Sequence, residues 1–69
     1  MKFKWTPEIG EQVRVTKKIN SLNGYFDIDD IVTVSEISDL GYNLTDSDGN
    51  TILHVTKKYF CRYDFTKGH

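Results

Sequence analysis

The chain contains no alanine. Alanine is the strongest helix former, and in its place stand seven Thr, six Ile, five Val and eight Phe or Tyr. These β-branched and aromatic side chains suit a pleated, half-buried surface, so the expectation is an all-β domain. Length sets the next constraint. A chain of 69 residues makes one unit, and one of this size buries only about 60% of the surface it exposes when unfolded. Cys61 is the single cysteine and has no partner for an internal bridge, so apolar packing must carry the core. A lone thiol and the absence of an apolar leader point to the reducing cytoplasm. No stretch approaches the ~20 apolar residues of a membrane helix.

Hydrophobic alternation locates the strands. Pro7 and Gly10 mark a turn, and residues 11–17 follow with Val13 and Val15 on one face and Gln12, Arg14 and Thr16 on the other. That is the pattern of a half-buried strand. Residues 19–30 hold Asn20, Ser21, Asn23 and Gly24 among Tyr25, Phe26 and Ile28, and read as a long loop pinned by its aromatics. In residues 31–37 the apolar positions 31, 32, 34 and 37 break strict alternation, which predicts a bulge or bend. A third strand spans residues 42–45. The run Asp46-Ser47-Asp48-Gly49-Asn50 then sits between β-type flanks, and Asp-Gly in that setting is a strong hairpin signal. A fourth strand covers 51–56, one helical turn covers 57–60, and residues 61–65 return as a short closing strand. Phe3 and Trp5 alternate with Lys2 and Lys4, so residues 1–8 read as an arm or short strand, and 66–69 as a frayed tail.

Five short strands, a long first connection, a late tight hairpin and a helical turn before the last strand form the order of a small five-stranded SH3-like barrel, with an OB-fold as the rival architecture. The run Ile9-Gly10-Glu11-Gln12-Val13-Arg14-Val15-Thr16-Lys17, followed by Phe26 and Asp30-Ile31-Val32-Thr33-Val34-Ser35-Glu36-Ile37, resembles the small SH3-like proteins of Gram-positive bacteria and their phages. It is distantly similar to KOW-type modules of ribosomal and transcription proteins. The resemblance implies a binding module with the host cytoplasm as its setting. The paired aromatics and double tryptophan with which SH3 domains take proline-rich peptides are absent.

Charge is distributed unevenly along the chain. Residues 19–56 contain no Lys or Arg and seven acids: Asp27, Asp29, Asp30, Glu36, Asp39, Asp46 and Asp48. Residues 1–18 carry five basic and two acidic groups, residues 57–69 four basic and one acidic, and the total is a net charge of −1. First and last strands are neighbours in a five-stranded barrel, so the basic ends should meet on one side. Two readings follow. In the first, a protein partner docks on the acidic loops or on an aromatic groove, engaging Tyr25, Phe26, Asp27, Asp29, Asp30, Tyr42, Asp46, Asp48 and Tyr59. In the second, a nucleic acid lies on the basic terminal strands: Arg14, Lys17, Lys18, Lys57, Lys58 and Arg62 meet phosphates while Tyr59, Tyr63 or Trp5 stacks on bases. Each has a plainer counterpart. Acids in turns supply local hydrogen bonds, and Lys or Arg on strands cover apolar area and protect sheet edges.

Catalysis, cofactors and metals find no pattern here. Cys61 has no histidine near it in sequence, and a buried structural thiol is the expectation. His54 lies on an alternating strand. No His/Cys cluster has ligand spacing, and no Gly-rich loop opens a helix. Asp46, Asp48 and Asn50 match the first, third and fifth ligands of a calcium loop, but Thr51 and Lys57 stand at its sixth and twelfth positions, so a hairpin turn explains the segment. The expected product is a non-catalytic module, a monomer or weak dimer. Its Trp5 either packs on the core or anchors a partner.

Overall fold

A computed structural model describes residues 5–22 and 24–63; residues 1–4, the tail 66–69 and the end of the expected closing strand lie outside that description. The chain is all-β. Its strands are β1 (Gln12–Val15), β2 (Ile19–Ser21), β3 (Gly24–Phe26), β4 (Ile31–Ser38), β5 (Gly41–Thr45), β6 (Thr51–Val55) and β7 (Phe60–Arg62), with a 3₁₀ turn at Lys57–Tyr59. Five of them form one antiparallel sheet in the order β6-β5-β4-β1-β7, and β2 and β3 form a separate two-stranded sheet.

The second sheet corrects the sequence reading of residues 19–30 as loop. Ile19 stands opposite Phe26, and Asn20 opposite Tyr25. Both members of the Ile19–Phe26 pair are buried, so the hairpin is fastened to the core at its base. Asn23-Gly24 was the available signal for it, hidden by strands only three residues long. The turn at 27–30 then folds across β1: the Asp29 N–H donates to Val15 O at 2.7 Å, and the Val15 N–H to Asp30 O at 2.9 Å.

The core consists of Val13, Val15, Ile19, Phe26, Val32, Val34, Leu44, Ile52, Val55 and Phe60. Every strand contributes at least one of them, which is how so short a chain closes a single apolar cluster. Trp5 and Tyr42 pack against it at the side, each meeting the Phe60 ring edge-on, at 6.0 and 5.7 Å between centroids. The expected irregularity in the second long strand is present in β4, where Val34 faces Leu44 but Glu36 faces Asn43. Ser35 is the extra residue, and its hydroxyl donates to Asn43 O at 3.1 Å. Val32 and Val34 share the inward face by regular alternation, and beyond the bulge the distal end of β4 lies exposed.

Candidate binding cleft

A second bulge, in β6, sets the candidate site. Tyr42 pairs with Val55 and Leu44 with Ile52, so Leu53 and His54 together oppose Asn43 alone. In a regular strand, inward Ile52 would force Val55 outward. The extra residue keeps both inward and leaves Leu53 and His54 exposed. His54 absorbs the kink with a left-handed φ of +61°, and its N–H donates to Asn43 Oδ1 at 3.2 Å. Gly41 makes the bulge possible. Its φ is +144°, and a Cβ there would lie 2.7 Å from the His54 carbonyl carbon.

Between bulged β6 and the base of the β2–β3 hairpin runs an open cleft of about 400 Å³, walled by residues 18–21 and 52–55 and closed by Tyr59. Its floor is Ile19, Ile52 and Val55, which retain 4–6% exposure where Val13, Val15, Val34 and Leu44 have none. Leu53, 53% exposed, and Tyr59, 38% exposed, stand at its walls. At the rim the Lys18 ammonium sits 4.7 Å above the Tyr25 ring, a cation–π distance. Beyond its ladder with β5, β6 has no strand on its outer edge among the described residues.

The residues expected to form an aromatic groove are thus divided. Tyr25 and Tyr59 border or line this cleft. Phe26 does not belong to any surface: at 1% exposure it is core, because its place opposite Ile19 turns it inward. Tyr42 is half-buried against Phe60. Leu53 and His54 are the cleft residues that sequence patterning missed, since the β6 bulge has no signal in the run Thr51-Ile52-Leu53-His54-Val55. Gly41, eleven positions earlier than Ile52, is the partner that permits it.

Among the acidic candidates, the Asp30 and Asp46 carboxylates serve local structure. Asp30 accepts the Asp27 N–H at 2.8 Å. Asp46 Oδ1 accepts the N–H groups of Asp48 and Asn50, each at 2.9 Å, and its Oδ2 the Asn50 side-chain amide at 3.2 Å. These donors, the Asn50 N–H foremost, hold the Asp46 carboxyl below the usual carboxylate range. Asp48 is exposed beside it.

The basic terminal strands do meet, with Arg14 opposite Cys61 and Val13 opposite Arg62. They are not a clean cationic face. Arg14 bonds the Cys61 sulfur at 3.6 Å and Asp29 Oδ1 at 3.2 Å, contacts that push its guanidinium above its ordinary value, the Cys61 bond most. The Cys61 thiol, expected to be buried, is half-exposed. Arg62 lies 3.9 Å from Glu11, and Lys57 donates to Trp5 O at 2.8 Å. Trp5 itself is half-buried, its indole N–H donating to Glu11 at 3.1 Å. Tyr63 is half-buried, and Lys17 and Lys58 are exposed. A second open cleft, about 450 Å³, lies between Trp5, residues 8–11 and Arg62.

No protein-family model matches the chain, and no curated protein or solved structure is significantly similar to it. No helix among the described residues is long and apolar enough to cross a membrane.

Proposed function

We propose that this chain is a non-catalytic protein-binding module of SH3-like barrel architecture, taking an extended segment of a partner chain into the cleft between β2 and β6. The sheet order β6-β5-β4-β1-β7 and the 3₁₀ turn between the last two strands are those expected of such a barrel. The hairpin in the first connection fits the same plan. The intracellular setting in a Gram-positive bacterium or its phage belongs to the same proposal.

One observation carries the binding reading: an apolar-floored cleft lies directly beside a strand edge that no other strand covers among the described residues. An extended segment supplies what that arrangement lacks, side chains for the floor and backbone groups for the edge. Trp5 serves the core in this reading, since it packs against Phe60 and the apolar cluster.

The alternative, nucleic-acid binding on the terminal strands, has less support. Arg14 and Arg62, its two guanidinium groups, already face Asp29 and Glu11. Capture from host lysate divides the two readings when it is run with and without nuclease, and with the surface variant Leu53→Asp. A protein recovered despite nuclease and lost with Leu53→Asp supports the cleft. Recovery of nucleic acid alone sinks it.

A further inference from the structure

We infer that the segment this cleft takes is acidic, an extended stretch in which carboxylates alternate with apolar side chains. The inference rests on the protein-binding reading above and adds the chemistry of the partner.

Its basis is where the chain does not place its acids. Among the described residues no Asp or Glu lines the cleft, whose ionisable side chains other than Tyr59 are Lys18 and His54. Several carboxylates are engaged elsewhere: Asp29 and Asp30 in the turn across β1, Asp46 in the β5–β6 turn, and Glu11 beside Trp5 and Arg62. Lys17 precedes Lys18, and Lys58 precedes Tyr59 in the 3₁₀ turn, so the lining residues of both segments have an exposed cation next to them in sequence. A chain that is net negative therefore presents a locally positive cleft, and this complementarity selects the charge of its occupant.

The geometry also says how that charge is spaced. A segment extended along β6 points successive side chains to opposite sides. One set meets Leu53, Tyr59 and the aliphatic floor, and the other meets the rim. There Lys18 is held over the Tyr25 ring, so its ammonium is already localised before a carboxylate arrives. His54 adds a second polar contact, because the bulge exposes it beside Leu53 rather than burying it. A polynucleotide, also anionic, fits less well. The floor is aliphatic, the Tyr59 phenol and the His54 imidazole are the rings among the lining residues, and no Arg lines the cleft, whereas single strands bind on rows of stacking rings along a cationic track.

The test is selection of random 12-residue displayed peptides on the full chain, with random single-stranded oligonucleotides as a second probe. Two surface variants, Leu53→Asp and Lys18→Glu, are run in parallel, with their folding verified by amide spectra. The expected result is enrichment of peptides rich in Asp and Glu interleaved with aliphatic or aromatic residues. Their binding should disappear with Leu53→Asp and weaken at least about fivefold with Lys18→Glu. Peptides that are neutral or basic, lost with Leu53→Asp but indifferent to Lys18→Glu, overturn the acidic assignment and leave the cleft as a protein site. Failure to enrich any peptide, enrichment unaffected by Leu53→Asp, or binding of oligonucleotides alone overturns both.

Discussion

Gly41 and His54 are the residues on which the candidate site depends most directly. One yields the space, and the other bends into it. A methyl group at position 41 would meet backbone atoms at 2.7 and 2.9 Å, neither of which can rotate away, at a φ that side chains avoid. Gly41→Ala should therefore cost about 1–3 kcal/mol, read as a lower urea midpoint. His54→Gly should do the opposite, raising stability by up to about 1 kcal/mol as the left-handed conformation loses its side-chain penalty, while weakening any ligand that uses the imidazole. Asp46 supplies a pH dependence. Its folded-state pKa is depressed by the surrounding N–H donors, so its contribution is present above the unfolded value near 3.8 and lost as pH falls through the folded one. Thermal melts should show stability declining below about pH 4. Asp46→Ala should lower the melting temperature at pH 7 and flatten that part of the acid limb.

At the scale of elements, the β2–β3 hairpin looks dispensable from its composition and is integral from its packing. Three residues per strand make a hairpin that would not persist alone. Phe26 at its base holds it to the core, and Leu22 near its tip is fully exposed. Phe26→Ala is expected to cost about 3–5 kcal/mol, most of the stability of a domain this small. Leu22→Thr should stay within about 0.5 kcal/mol of the parent. Chemical denaturation of both variants compares them, and equal costs would mean that the tip is packed. The two bulges differ in legibility for a related reason. The one in β4 shows in the sequence because Ile31, Val32, Val34 and Ile37 violate alternation. The one in β6 does not, because Leu53 and Val55 satisfy regular alternation by themselves and so hide the inward pair Ile52 and Val55.

For the whole molecule, the polarity so plain along the chain is folded partly away. The acidic turn 27–30 lies across basic β1, where Arg14 meets Asp29, and Arg62 meets Glu11. Exposed pairs of this kind add little stability, but they decide how much cationic surface remains for a polyanion. Replacing Asp29 by Asn should thus strengthen residual binding to a fluorescent oligonucleotide at low salt and make that binding steeper in salt. An unchanged salt slope would mean that Arg14 is not accessible to phosphates.

The all-β class, the long strands, the Asp-Gly hairpin, the 3₁₀ turn and the β4 bulge were all legible in sequence, because each rests on local pattern: alternation, turn chemistry and the want of helix formers. The cleft was only half legible. Tyr25 and Tyr59 are recognisable as candidates by type, but whether an aromatic faces solvent depends on its partner across a ladder, and Phe26 was lost to the core through Ile19. Leu53 and His54 reach the surface through a bulge that Gly41, on another strand, makes room for. Contacts of that kind are fixed by strand register across a turn, which local hydrophobic pattern does not specify. The sequence alone determined what sort of surface this protein is able to build; which residues face that surface, and which charges remain free there, was decided by strand pairing.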